Sequence, residues 1–342
     1  LTGPADTYRK RQNFPTHTST ARQLAVFLFA LNGVFPTAPD GIFPIAPDGA
    51  GTRQLAVFSF QAYMDGMPEL PEVETVRSQL QERIADRTIT DVTLRRPDLR
   101  WPIPIDLHDR LTGAKITSIV RHGKYLFILT DKPDGLGAHL GMSGSFRTVD
   151  KGDNAEFGKH DHAVITFKDG GKLVFNDPRR FGALFLTSSA DWRQDKQLAN
   201  KGPDPVTEKI TAEWFHGQLQ KRKTPIKVAL LDQGLLSGVG NIYASEALFM
   251  AKIKPARPAQ DLTKKQAGML LDAIHAVLAK AIAFKGSTLR NYAHIDGGVG
   301  GFQNEFLVYG QAGKTCPVCH SSIIVKSVQA GRATYSCPKC QK

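Results

Sequence analysis

The sequence predicts an α+β chain of several domains. Three observations carry this. A leading amphipathic helix and a series of strand-like runs occupy the stretch from Pro71 to about Ser189. Helical patterns take over after a Pro- and Gly-bearing segment near Leu198. All four cysteines fall in the last 27 residues, as two CxxC pairs. We therefore expect an atypical segment over 1–66, a strand domain over 67–197, a helical domain over 198–302 and a cysteine module over 303–342.

Residues 1–66 stand apart. "RQLAVF" occurs at Arg22–Phe27 and again at Arg53–Phe58, and "FPTAPDG" at Phe35–Gly41 is echoed by "FPIAPDG" at Phe43–Gly49. Two echoes are too few units for a solenoid. Three origins fit: translated sequence upstream of the true start, a leader with Arg9, Lys10 and Arg11 ahead of the apolar "LAVFLFAL", or a flexible extension. We expect no packed domain here.

From Pro71 the pattern becomes regular. Val73, Val76, Leu80 and Ile84 recur at helical spacing behind the prolines. "TITDVTL", "KITSIV", "KYLFIL", "HAVITF" and "KLVFN" read as strands, the last two forming a hairpin around "KDGG". "LANKGPDPVTEK" (Leu198–Lys209) reads as a linker. "TAEWFHGQLQKR", "IKVALLDQ", "IYASEALFMAK" and "TKKQAGMLLDAIHAVLAKAIAF" read as helices, and a Gly-rich loop, "HIDGGVGGFQN", follows.

The net charge is +12 at pH 7. Residues 1–66 hold five cations and four anions, so nearly all of the excess belongs to the body. A basic body suits a polyanionic partner, nucleic acid first, although a basic protein without such a partner has the same composition. No uninterrupted apolar run approaches the roughly 18 residues of a membrane span. With every cysteine at the C-terminal end, the body is expected to fold in a reducing compartment.

Cys316, Cys319, Cys337 and Cys340, with 17 residues between the inner pair, have the spacing of a four-thiolate structural zinc site. Such a closed shell leaves no position for a reacting water, and no vacancy for His320. Lys326, Arg332, Thr334 and Tyr335 lie between the two pairs, where a metal-pinned hairpin presents a cation to a groove or a phosphate. "LLSGVGNIYASEALF" places Gly238 and Gly240 ahead of a helix starting near Asn241. Its amides form an anion site, with Lys223 and Lys227 nearby, or else the glycines serve an ordinary tight turn. "HLGMSGSF", "DPRRFG" and "RHGKYL" put Met142, Arg179, Phe181, His122 and Lys124 on loops. On a basic protein these side chains suit insertion into a duplex, and core packing is the alternative for Met142 and Phe181.

The opening "MPELPEVETVR" carries the chemistry. A free Pro68 amine would have a pKa near the α-amino range of roughly 7.7–8.0, lowered further by the following helix. It could attack a sugar C1′ and form an iminium ion, with Glu69 as proton donor and Glu72 one turn on. Within a longer chain the same nitrogen is an amide, and the acids merely begin a helix.

These motifs, with "VYG" and the terminal "GRATYSCPKCQK", occur in the order found in formamidopyrimidine-DNA glycosylases, and from Met67 to Lys342 the chain resembles that family. The resemblance implies an N-terminal β-sandwich with its leading helix, a helix–two-turn–helix domain and a C-terminal zinc finger holding one structural Zn2+. It implies removal of 8-oxoguanine and ring-opened purines from double-stranded DNA, followed by strand cleavage at the abasic site. Pro68, Glu69, Glu72, Lys124 and Arg332 are then the expected catalytic group. Lys124, Asn241 and Arg332 are expected to grip phosphates. Met142, Arg179 and Phe181 are expected to fill the void left by the extruded base, Lys227 to take part in lesion recognition, and His139 to lie on the DNA side. The loop around Ser287–Asn304 resembles the one that closes over a flipped base. The related oxidised-pyrimidine glycosylase usually opens with "PEGPE" where this chain has "PELPE". A third reading, a DNA-binding protein without catalysis, applies if Pro68 stays acylated. We expect a cytoplasmic monomer associated with the nucleoid through DNA, with organellar import if the first residues are a leader.

Overall fold

The computed structural model describes residues 67–153, 155–287, 295 and 298–342. The sequence echoes of residues 1–66 and most of the loop over 288–297 lie outside them.

The chain enters through helix α1 (Leu70–Ile84), with Pro71 in its first turn where no intrahelical N–H is needed. Its apolar stripe is fully used: Val73, Val76, Leu80 and Ile84 are each at most 1% exposed. Two four-stranded antiparallel sheets follow. The first has the order β1-β6-β7-β5, from β1 (Ile89–Leu94), β5 (Ser145–Val149), β6 (Asp161–Phe167) and β7 (Lys172–Asn176). The second has the order β2-β3-β4-β8, from β2 (Ile116–His122), β3 (Tyr125–Thr130), β4 (Asp134–His139) and β8 (Ala183–Ser188). A short helix, α2 (Leu107–Leu111), lies between β1 and β2 in sequence.

One core joins α1 to both sheets, with Ile89, Val92, Phe146, Ile165 and Phe175 from the first and Ile119, Leu126, Ile128 and Leu184 from the second. Strand β3 is buried on both faces. Leu126 and Ile128 join this core, while Tyr125, Phe127 and Leu129 point the other way onto Phe185, Trp192 and Leu198. The five strand-like runs all appear, and β6 and β7 pair across the KDGG turn. Strands β4, β5 and β8 were not legible. Gly135 and Gly137 give β4 little intrinsic strand preference, and its pairing with β3 and β8 on either side overrides this.

The helical part comprises α3 (Ala212–Leu219), α4 (Ile226–Leu231), α5 (Asn241–Met250) and α6 (Lys264–Ala283). Helix α6 starts on a Thr263–Gln266 capping box. By length and composition it could cross a membrane, but Leu270, Ile274, Val277 and Leu278 are buried in the second core. That core includes Leu70 of α1 and continues into the cysteine module through Val308, Tyr309, Cys316, Ala333 and Cys337. The module ends in a hairpin of β9 (Val325–Gln329) and β10 (Arg332–Ser336).

The segment expected to act as a linker is a clasp instead. Asp204 is fully buried and pairs with Arg121 of β2, while its Oδ2 accepts the Gly123 N–H at 2.7 Å. Arg121 also bonds Glu74 of α1 at 2.8 Å and donates to the Gly123 carbonyl at 3.0 Å. Burial alone would raise the Asp204 pKa, but the Arg121 guanidinium and the Gly123 and Val206 amides hold it below the usual carboxylate range. Arg121 keeps Glu74 if Asp204 is removed, but removing Arg121 leaves the Asp204 carboxylate as an uncompensated buried charge. Arg121→Ala is therefore expected to destabilise the protein by about 3–5 kcal/mol. Urea unfolding monitored by far-ultraviolet circular dichroism checks this.

Candidate active site

The site is built where the N-terminus of α1 meets the N-terminus of α5. Pro68 is buried, and Glu69 directly after it is 4% exposed. The Glu69 carboxylate accepts the Ile242 N–H at 3.0 Å, with a longer contact to the Tyr243 N–H at 3.5 Å. These are first-turn amides of α5, which have no acceptor within their own helix. Gly240 makes the approach possible, because a Cβ there would stand 2.1 Å from the Glu69 carboxyl carbon. Burial pushes the Glu69 pKa up to about 7, and the neighbouring Glu72 adds to the rise. The Lys124 charge and the two amides oppose it. At neutral pH this carboxyl is poised to give or take a proton.

Glu72 ties the site together. Its Oε2 accepts the Glu69 N–H at 2.9 Å. Its Oε1 accepts the Tyr243 hydroxyl and both the N–H and the hydroxyl of Ser287, the latter two at 2.7 and 3.0 Å. Burial and the two nearby carboxyls raise the Tyr243 pKa, so this hydroxyl remains a donor. Tyr243 and Ser287 were not singled out from the sequence. For Tyr243 the available signal was a polar side chain inside a helix that is buried nearly all round. Lys124, at the β2–β3 turn, interacts electrostatically with Glu69, Glu72 and Arg332. Burial lowers its pKa, with Arg332 acting in the same direction and the two carboxyls opposing. The hairpin delivers Arg332 as the first residue after a two-residue turn in which Ala330 and Gly331 both have positive φ. The structure thus brings Glu69, Glu72, Lys124 and Arg332 into one electrostatic group around the Pro68 end of α1.

Lys227 and Asn241 both lie in the interior. Lys227 is fully buried, and its Nζ donates to Asn241 Oδ1 at 2.6 Å, the Ala333 carbonyl at 2.6 Å and the Thr334 hydroxyl at 2.8 Å. It ties α4 to α5 and to β10. Asn241 is 5% exposed and is engaged by Lys227, and by Tyr309 at 3.5 Å. The α5 amides expected to hold a phosphate hold Glu69, because that carboxylate reaches them from within the protein.

The strand-domain loops meet at one edge. The His139 ring lies 4.8 Å from that of Tyr125, tilted at 56°, and its Nδ1 accepts the Gly141 N–H at 3.0 Å. Burial, reinforced by Arg100, Lys124 and Lys201, lowers its pKa to about 3, so the imidazole is neutral at physiological pH. Arg179 and Phe181 are half-buried and in cation–π contact at 5.5 Å, and Arg180 is exposed. Met142 is 6% exposed. Its loop turns back onto the Phe181 backbone.

Cys316, Cys319, Cys337 and Cys340 place their Sγ atoms within 4.8 Å of one another, a cluster that could hold a metal ion.

The Glu69 pKa has a testable consequence. The folded state holds this proton up to about pH 7, whereas an ordinary Glu releases it near 4.5. The folded protein therefore binds the extra proton between these values. Its contribution to stability is fully present below about pH 4.5 and is lost as the pH rises toward 7. Urea midpoints measured across this window should decline with rising pH, and Glu69→Gln should flatten the decline.

Comparison with known proteins agrees with this geometry. Residues 67–184 match the family model for the formamidopyrimidine-DNA glycosylase N-terminal domain, and residues 201–293 match that for its H2TH domain. The chain is 45% identical over 282 residues to formamidopyrimidine-DNA glycosylase of Rhodospirillum rubrum and 44% identical over 276 residues to that of Rhizorhabdus wittichii. Each match covers 81% of this chain and all of the relative. Among solved structures, the Lactococcus lactis Fpg complex with abasic-site DNA is similar at TM-score 0.73 and 37% identity, over 80% of this chain and 99% of that one. The MutM (Fpg) protein of Thermus thermophilus is similar at TM-score 0.71 and 40% identity, over 80% and 98%. A site of this construction, on a fold matched along nearly the whole length of these proteins, places the chain in the formamidopyrimidine-DNA glycosylase family.

Proposed function

We propose that this chain excises oxidised purines, 8-oxoguanine and formamidopyrimidines, from double-stranded DNA and then cleaves the strand at the resulting abasic site. The observation that carries the reading is the Glu69 carboxyl, directly behind Pro68 and shifted to a pKa of about 7. A nitrogen nucleophile and a half-protonated acid on adjacent residues suit displacement at a sugar carbon. The Pro68 nitrogen, once free, attacks C1′ as the C1′–N bond to the damaged base breaks. The base leaves with the electron pair and a proton, and Glu69 is the donor in place. The nitrogen loses its own proton, its lone pair expels O4′ as the C1′–O4′ bond breaks, and O4′ takes up a proton, giving an open-chain iminium ion with a 4′-hydroxyl. That cation acidifies the C2′ proton, whose removal expels the 3′-phosphate by β-elimination. Lys124 and Arg332 supply positive charge for the flanking phosphates.

In this sequence Met67 precedes Pro68, which makes that nitrogen a tertiary amide. The active form on this reading begins at Pro68. If the Met67–Pro68 bond is retained, the chain binds damaged DNA without acting on it. Borohydride trapping on an 8-oxoguanine·cytosine duplex separates the two. Protein beginning at Pro68 should give a covalent complex, Pro68→Gly a reduced yield, and protein carrying residues 1–67 none. Equal trapping with and without residues 1–67 contradicts the reading, and a preference for oxidised pyrimidines across a panel of lesions would move the substrate class.

The four cysteines fit zinc. Four sulfurs around Zn2+ at about 2.3 Å stand roughly 3.8 Å apart along each tetrahedral edge, and the Cys316–Cys340 and Cys319–Cys337 pairs are each 3.8 Å apart. A bound zinc would act structurally, fixing the β9–β10 hairpin and hence Arg332. Elemental analysis should find one zinc per chain. Cys319→Ser should lower the zinc content and weaken DNA binding.

A further inference from the structure

A partly buried hydrogen-bonded ring joins the loop that carries Met142 to the loop that carries the Arg179–Phe181 pair. Asp177 is fully buried. Its Oδ1 accepts the Ser143 hydroxyl at 2.5 Å, and its Oδ2 accepts the Gly182 N–H at 2.7 Å. The Ser143 oxygen in turn accepts the Arg179 N–H at 3.0 Å. Ser143 follows Met142 in one loop, while Asp177, Arg179 and Gly182 bracket Phe181 in the other. Both loops are also in direct backbone contact, because a Cβ on Gly141, which has φ +62°, would lie 2.3 Å from the Phe181 carbonyl carbon. The far side of the ring is anchored in the first sheet. The Asp177 N–H bonds the His160 carbonyl at 3.0 Å, and the Asp177 carbonyl meets the buried His162 ring at 2.8 Å.

The geometry points to Ser143 and Asp177 as positioning residues that couple the Met142 loop to the Arg179–Phe181 loop, so that the three side chains enter the duplex as one unit. This rests on the reading of those side chains as the ones that occupy the vacated base position. Two independent loops would each have to be ordered on the DNA, at a separate entropic cost. Buckled together, they share it. A carboxylate suits the centre of the ring because it offers only acceptors and all the groups around it are donors. Asparagine at position 177 would turn one amide N–H toward a donor.

The test follows insertion itself, and so does not depend on the state of the Pro68 nitrogen. The full chain is mixed with a duplex carrying 8-oxoguanine opposite pyrrolo-cytosine, and stopped-flow fluorescence reports disruption of the base pair. Ser143→Ala should slow the insertion phase by about fivefold or more, and Asp177→Asn by at least as much. Affinity for undamaged duplex should change by less than about twofold, and Ser143→Thr should restore the rate. Phe181→Ala is run alongside. If Phe181→Ala slows insertion and Ser143→Ala does not, the coupling is wrong and the reading of the inserting side chains stands. If Phe181→Ala has no effect on insertion, that reading fails and the coupling fails with it. A loss of undamaged-duplex affinity in Ser143→Ala equal to the loss of insertion rate would mark a general defect and overturn the proposal.

Discussion

The Glu69 carboxylate seated on the first amides of α5 is the contact on which the rest of the structure depends. It solves two problems together. The α5 N-terminus would otherwise bury unsatisfied N–H groups, and the end of α1 would otherwise bury an acid with no partner. Joining them fixes the strand half against the helical half at the residue after Pro68. The helix N-terminus favours the anion, while burial disfavours it, and burial wins. The result is a carboxyl near the midpoint of its titration at neutral pH, which a solvent-exposed Glu at the same sequence position could not provide.

Around this contact several buried charges each hold one element against another. Arg121, Asp204 and Glu74 hold the β2–β3 turn, and so the Lys124 backbone, against the segment leading into the helices. Lys227 fastens the base of β10, next to Arg332. Glu246 accepts the N–H groups of Leu307, Val308 and Tyr309 and sets the path of the chain into the cysteine module. Apolar pairs could hold these elements as firmly. What ionic and hydrogen-bonded partners add is directional placement, which the cationic group at the Pro68 end of α1 requires.

The strongest periodic signals were readable in the sequence. The helical stripe of Val73, Val76, Leu80 and Ile84, the strands around Phe127, Ile165 and Val174, and the four cysteines all appear as local pattern predicts. Strand β4 was not readable, because its glycines are strand residues only by virtue of their neighbours. The Leu198–Lys209 segment looked like a spacer because Pro and Gly mark both exposed linkers and tight buried turns, and only the Asp204–Arg121 pairing tells them apart. The motif residues of the site were legible by type and less so by task. Nothing local shows that Lys227 points inward, that Met142 is covered, or that the α5 amides already hold Glu69. The first and last arise from contacts between residues more than a hundred positions apart, and the Met142 loop meets the backbone of Phe181 in a separate loop.

The account places bond-making at the Pro68 nitrogen, with Glu69 as its acid. A second amine with a lowered pKa stands close by, that of Lys124, so the identity of the attacking atom is the direct test. Protein beginning at Pro68 is reduced with borohydride on damaged DNA, the adduct is digested, and the modified residue is located by tandem mass spectrometry. The account predicts a sugar remnant on the Pro68 nitrogen. A remnant on Lys124 Nζ would contradict it.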